Sequence, residues 1–174
     1  EVVTAGTVDT ATAGTYTLTY SAIDSAGNEA TAITRTIIVA DTIAPVIVLN
    51  GAANLSHEQG TTYTDAGATA SDIADGSVTV TTSGTVDTTT AGTYTLTYSA
   101  TDSAGNAASA VTRTVIVADT MAPIITLSGS ASVNHEQGTT YSDAGASASD
   151  SVDGSVSVTT SGTVDTATAG TYTL

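Results

Sequence analysis

Asp41, Asp72, Asp75, Asp102 and Asn106 carry side-chain oxygens in segments that read as turns. Three of them return 78 residues later as Asp119, Asp150 and Asp153, and Asp24 with Asn28 stands 78 residues ahead of Asp102 and Asn106. Several carboxylates and an amide carbonyl form a hard oxygen donor set. Such a set suits Ca²⁺, which takes about 6–8 oxygens at about 2.3–2.6 Å. Mg²⁺ suits it less well because it keeps its waters, and a transition metal would recruit His or Cys. The chain has no Cys, and its two His, His57 and His135, lie 78 residues apart. The same acids also make good turns with their charge left in water. Residue types alone leave both readings open.

The elements that must position these acids come in repeats, so the repeat is read first. GTVDT begins at Gly6, Gly84 and Gly162, and AGTYTL at Ala13, Ala91 and Ala169. HEQGTTY begins at His57 and His135, and DSAGN at Asp24 and Asp102. Residues 41–96 and 119–174 share 42 of 56 positions, and every acid of the first stretch recurs in the second. The boundary of the unit is the Asp-Thr-x-Ala-Pro segment at Asp41–Pro45 and Asp119–Pro123. Pro there forces an extended backbone and stops the preceding ladder. The expected organisation is therefore the back portion of a repeat over 1–40, a whole repeat over 41–118 and the front portion of a third over 119–174.

Helical periodicity is absent, and Thr, Val, Ile and Tyr favour strands. Thr fills 39 of the 174 positions. Thr93–Thr101 alternates, with Tyr94, Leu96, Tyr98 and Ala100 on one face, which predicts a half-buried strand. Ala110–Ala118 predicts a partner strand, joined to it by the Asp102–Asn106 turn. Further strands are expected at Val46–Leu49, Thr61–Ser71 and Val78–Thr82, with a turn at Asp72–Gly76. Short strands with regular turn signals indicate an all-β sandwich. Thr90–Leu96 has the pattern of a tyrosine corner, in which Tyr94 opens a strand and bonds back to the corner backbone; Tyr16 and Tyr172 share its phase. Asp65 and Asp143 read as caps of a turn, Asp87 as surface. Arg113 reads as paired with a nearby acid while its stem covers apolar surface.

Taken in order, Asp41-Thr42-x-Ala44-Pro45, Tyr63-x-Asp65-x-Gly67, Asp72-x-x-Asp75-Gly76, Ala91–Tyr94, Asp102–Asn106 and Arg113 resemble the bacterial immunoglobulin-like repeats of large secreted surface proteins and adhesins. The resemblance covers the whole chain in repeating register. It implies tandem Greek-key sandwiches in a rod-like array, an extracellular or cell-surface location, and frequent Ca²⁺ at domain junctions. It implies no particular ligand.

In an immunoglobulin-like unit the chain comes in at one pole and leaves at the other. Asp41, Asp72, Asp75, Asp102 and Asn106 all belong to the incoming pole, and the preceding unit's outgoing corner carries Asp9. The expectation is a Ca²⁺ that staples adjacent repeats. Asp24 with Asn28, and Asp119 with Asp150 and Asp153, are the partial counterparts of the same site.

Charge excludes other classes. Seventeen acids against two Arg give a net charge of −15, which no nucleic-acid surface or anionic membrane would accept. No stretch approaches the roughly 18 apolar residues of a membrane span. No signal peptide is visible, which says nothing against export. Enzymatic activity is not expected: His57 sits in a polar turn without a nucleophile pocket, and sugar-cleaving carboxylates normally work beside Trp, of which there is none. The leading expectation is a structural extender or stalk, whose partners are neighbouring repeats of the same chain. The alternatives are a multivalent glycan- or protein-binding module, and a subunit of a head-to-tail filament built by strand complementation; lateral association through an exposed edge strand is a further possible contact between copies.

Overall fold

The computed structural model describes residues 1–174 and contains thirteen β-strands and no helix. Strands β1 (Val2–Ala5), β2 (Gly14–Ala22) and β3 (Ile33–Val39) form an antiparallel sheet in that order. The middle repeat contributes two sheets. One has β4 (Val46–Leu49), β6 (Ala68–Asp72) and β7 (Gly76–Val78), in the order β4-β6-β7. The other has β5 (Asn54–Glu58), β8 (Val80–Ser83), β9 (Gly92–Ala100) and β10 (Val111–Ala118), in the order β5-β10-β9-β8. A last sheet of β11 (Ile124–Leu127), β12 (Ala146–Asp150) and β13 (Gly154–Val156) repeats β4, β6 and β7 at the 78-residue interval. Its register repeats too: Val46 faces Ser71 as Ile124 faces Ser149.

Two compact units divide the chain. The first comprises Glu1–Ala53, Asp65–Gly84 and Leu96–Arg113; the second comprises Asn54–Thr64, Thr85–Thr95 and Thr114–Leu174. In the first, Ile47, Ala70, Leu96, Tyr98 and Ala100 are buried; in the second, Val115, Val117 and Ala148 are.

The alternating strand at 93–101 and its partner form as their patterns require, with Leu96, Tyr98 and Ala100 turned inward. Two expected strands differ. The segment read as 61–71 becomes strand only from Ala68, because 61–67 turns back on Glu58: Thr61 donates its backbone N–H and its hydroxyl to the Glu58 carbonyl, at 3.4 and 2.8 Å. The segment read as 78–82 breaks at Thr79, where the chain leaves the β6–β7 ladder and joins β9. A strand that switches sheets in this way makes the corner of a sandwich. Strand β5 was not expected, because Asn54–Glu58 reads as polar. It pairs in parallel with β10, Leu55 opposite Val115 and Glu58 opposite Ala118.

Tyrosine corners form in all three repeats: Tyr16, Tyr94 and Tyr172 donate to the carbonyls of Thr12, Thr90 and Thr168, each at 2.8 Å. The Asp102–Asn106 turn closes through Gly105, whose φ of 93° suits glycine.

Arg113 is the largest buried side chain of the first unit, 1% exposed. Nε donates to the Ala52 carbonyl at 3.0 Å, and Nη2 to those of Asn50 at 2.6 Å and Gly67 at 3.3 Å. Nη1 donates to the Tyr98 hydroxyl at 3.0 Å and forms an ion pair with Asp65. The Tyr98 hydroxyl in turn donates to both Asp65 oxygens, at 2.8 and 2.9 Å. The expected cap at Asp65 and the expected acid partner of Arg113 are thus one network. Burial opposes charge on Asp65, but hydrogen bonds from Tyr98 and Gly67 and the Arg113 guanidinium outweigh it and hold its pKa below the ordinary value.

Losing one partner leaves Arg113 buried without compensation. Because Asp65 keeps 24% exposure, Asp65→Asn is expected to cost about 3 kcal/mol in denaturant unfolding, near the lower end of the range for broken buried pairs. Tyr98→Phe is expected to cost about 2 kcal/mol, the scale of a hydrogen bond to a charged group. A carboxylate with a depressed folded pKa stabilises fully above its unfolded value of about 3.9 and loses that contribution as pH falls through the lower folded value. The midpoint difference between wild type and Asp65→Asn should therefore be constant from pH 7 to 5 and shrink below about pH 4.

Candidate metal centre at the incoming pole of the middle repeat

Asp41 stands in the linker just ahead of β4, Asp72 ends β6, and Asp102 follows β9. Each begins a short turn and uses one carboxylate oxygen to close it. Asp41 Oδ1 accepts the Ile43 N–H at 3.2 Å. Asp72 Oδ1 accepts those of Ala74 at 2.7 Å and Asp75 at 3.1 Å. Asp102 Oδ1 accepts that of Asn106 at 2.7 Å. This is the local chemistry by which Asp initiates turns. The three side chains converge, and one oxygen from each lies within 4.8 Å of the others.

The remaining oxygens distinguish this group from three ordinary turn acids. Asp41 Oδ2 and Asp72 Oδ2 are shielded from solvent and have no hydrogen-bond partner. Asp102, 8% exposed, has its Oδ2 held by the Asn106 amide at 2.8 Å. Burial raises the pKa of Asp102, but the Asn106 side chain and the backbone N–H groups of the turn outweigh this and lower it below the ordinary value. The carboxylate therefore stays charged. At an effective dielectric of about 20, two unit charges about 5 Å apart repel by about 3 kcal/mol. Unpaired buried carboxylate oxygens are costly, and a cation is one group that would satisfy them. Their hardness and the lack of His or Cys among them fit Ca²⁺.

Asn106 also donates to the Asp41 backbone carbonyl at 3.3 Å, tying the linker to the turn after β9. Asp75 does different work. Its Oδ2 accepts the Ser103 N–H at 2.6 Å and its Oδ1 the Ser103 hydroxyl at 2.7 Å, so it pins the two turns together.

The other acids named from sequence sit in copies of these turns. Asp24 accepts the Asn28 N–H and amide, both at 2.8 Å, as Asp102 does from Asn106. Asp119 accepts the Met121 N–H at 3.2 Å, and Asp150 those of Val152 at 2.7 Å and Asp153 at 3.1 Å, as Asp41 and Asp72 do in their turns. Asp153 is exposed. Asp9 is exposed and engaged by the Ala11 N–H at 2.9 Å and the Thr12 hydroxyl at 2.8 Å. His57 and His135 are held within their own turns by Thr61 and Thr139, edge-on to Tyr63 and Tyr141.

Sequence reading missed Glu58. At the end of β5, its carboxylate accepts the backbone N–H of Thr120 at 3.2 Å and also the Thr120 hydroxyl. Its recurrence as Glu136 was the available signal. The pinning by Asp75 yields a direct check. Asp75→Ala, which frees the Ser103 N–H and hydroxyl, is expected to lower stability by about 1–2 kcal/mol, read as a shift in denaturation midpoint with unchanged slope.

The chain matches the family model described as bacterial surface protein, Ig-like domain, over residues 1–39, 47–117 and 125–174. It is similar to a crystal structure of a lipoprotein from Bacteroides thetaiotaomicron at 32% identity, over 45% of this chain and 39% of that one, with a TM-score of 0.40. No curated protein matches it. With nearly its whole length covered in three successive stretches, the chain belongs to the family of bacterial surface protein Ig-like domains.

Proposed function

We propose that the chain is an extender or stalk segment of a bacterial adhesin or surface filament, and that Ca²⁺ stiffens it at the junctions between repeats. The observation that carries the reading is the pair of buried, partnerless oxygens on Asp41 and Asp72, beside the buried carboxylate of Asp102. Asp41 belongs to the linker, whereas Asp72 and Asp102 belong to turns of the repeat that follows. A cation held by all three would fasten the linker to that repeat and offset their mutual repulsion. Backbone carbonyls and water would complete the 6–8 oxygens that Ca²⁺ requires. In this reading the partners are neighbouring repeats of the same chain, and near-identical copies provide length rather than catalysis.

An ion that binds only the folded state stabilises it by mass action, by about 2.7 kcal/mol at a hundredfold excess over its dissociation constant. For a chain of this size that is a rise of several degrees in Tm. Calorimetry in millimolar Ca²⁺ and then in chelator should show this rise and its reversal. Asp72→Asn should raise Tm in chelator, because it relieves repulsion, and should lose the Ca²⁺-dependent increment. A Tm that stays the same across the Ca²⁺ series would refute the staple.

A further inference from the structure

Residues 19–40 repeat 97–118, and residues 119–174 repeat 41–96. In the middle repeat the two parts close on one another. There β5 takes the outer edge of β10, and Arg113 of β10 reaches the Asp65 carboxylate and the carbonyls of Asn50, Ala52 and Gly67. Their copies stand open. Strand β3, the copy of β10, pairs with β2 alone and leaves that edge bare. Residues 132–136, the copy of β5, form no strand. The apolar faces are bare as well. Ile125 is 64% exposed where its copy Ile47 is 9% exposed. Ile37 and Val39 of β3 are half-buried where Val115 and Val117 of β10 are buried.

The charges are complementary. Arg35, the copy of Arg113, lies over the Tyr20 ring at 5.7 Å, as Arg113 lies over that of Tyr98 at 5.6 Å. It therefore holds the same posture, but it is exposed and has no ion pair. Asp143, the copy of Asp65, is exposed too, and it is bonded by the Tyr141 hydroxyl at 3.4 Å and by no cation. It lines an open cavity of about 490 Å³ with Tyr141, Val164 and Leu174. The carbonyls of Ser128, Ser130 and Gly145 stand at the repeat positions of the three that Arg113 binds.

We propose that a second copy of this chain docks its β1–β2–β3 sheet on residues 119–174 of the first. Strand β3 of one copy pairs in parallel with 132–136 of the other, in the register of β10 and β5: Ile37 opposite Val133, and Ala40 opposite Glu136. This is strand addition at a bare sheet edge. Arg35 of one copy enters the cavity and pairs with Asp143 of the other, and the docked sheet covers Ile125. Residues 1–18 and 157–174 are copies of one segment, so one of them must give way. Residues 157–174 form no strand, whereas β1 and β2 are already laddered. In giving way, Thr166 and Ala167 release the Gly138 N–H and the Gln137 amide, held at 2.8 and 2.7 Å, and their copies Thr10 and Ala11 bring the same carbonyls. The donating and accepting surfaces differ, so the contact is heterologous and each copy keeps one surface for the next. None of the acids of the Ca²⁺ reading takes part.

The test is the mass of the 174-residue chain in solution, followed by light scattering as concentration rises, in chelator so that Ca²⁺ plays no part. The mass is expected to climb above the 17.0 kDa of one chain. Arg35→Glu spoils the donating surface and leaves Asp143 intact. Asp143→Asn leaves the incoming Arg35 to be buried without its acid, which is strongly unfavourable, and keeps the donating surface. Each variant alone should stay at the mass of one chain. Both side chains are exposed, so each variant in dilute solution should keep the parent's denaturation midpoint. Mixed, the two variants should form a pair and stop there, because Arg35 of the Asp143→Asn chain meets Asp143 of the Arg35→Glu chain and the two surfaces left over are both spoiled. A parent chain that stays single at every concentration overturns the proposal. So does association that survives either substitution, which would place the contact on another edge. A mixture that remains single chains overturns it as well, since the two residues then do not lie on opposite sides of one contact.

Discussion

From the middle of β10, Arg113 reaches three backbone carbonyls, a tyrosine hydroxyl and the Asp65 carboxylate, and it does so while buried. A chain without Trp or Phe has few large side chains with which to fill a sandwich. The guanidinium fills the space and at the same time satisfies the carbonyls of Asn50, Ala52 and Gly67, where the chain leaves β4 and approaches β6. Backbone acceptors left unpaired inside a protein are costly. One side chain pairs the Asn50 and Ala52 carbonyls and adds a bond to that of Gly67, which the Asn50 N–H also holds, and its five donors in a fixed plane suit it to the task better than Lys would be. It thereby braces the connection between β4 and β6, whose own antiparallel ladder holds the two strands near whose ends Asp41 and Asp72 stand.

The incoming pole follows from how each acid divides its two oxygens. One oxygen of Asp41, Asp72 or Asp102 closes a turn, which is a backbone requirement. The other is partnerless in Asp41 and Asp72 and held by the Asn106 amide in Asp102. Asp75 shows the contrast, because Ser103 takes both of its oxygens. The four acids look equivalent in sequence. Whether an acid spends both oxygens on the backbone and its neighbours or keeps one unpartnered is decided by which donors stand within reach. Asn106 completes the pole by holding the linker carbonyl with the same amide that holds Asp102.

Much of the fold was legible because local chemistry specifies it. Alternation in 93–101, the tyrosine corner at Tyr94 and the turn at Asp102–Asn106 each concern residues that touch within a few positions of one another. What escaped were pairings made at long range. The bond between Asp65 and Arg113 spans 48 residues and that between Glu58 and Thr120 spans 62. No periodicity reports such distances. Strand β5 escaped for a related reason: its apolar positions are few, and it is held by the neighbouring β10 more than by its own propensity. At the candidate centre, sequence identified Asp41, Asp72 and Asp102 through repetition and topology. It placed Asp75 beside them because an acid's type does not disclose its partners.

The parallel pairing of β5 with β10 has a mechanical meaning. β5 lies early in the middle repeat, and β10 ends it. Tension applied to the two ends of that repeat pulls these neighbours in opposite directions along their common axis. The ladder is then sheared, and the five register pairs from Asn54–Thr114 to Glu58–Ala118 resist together. A hairpin pulled from its open end would instead unzip, losing its pairs in succession. Pulled in this way, the five pairs would give way together rather than one after another.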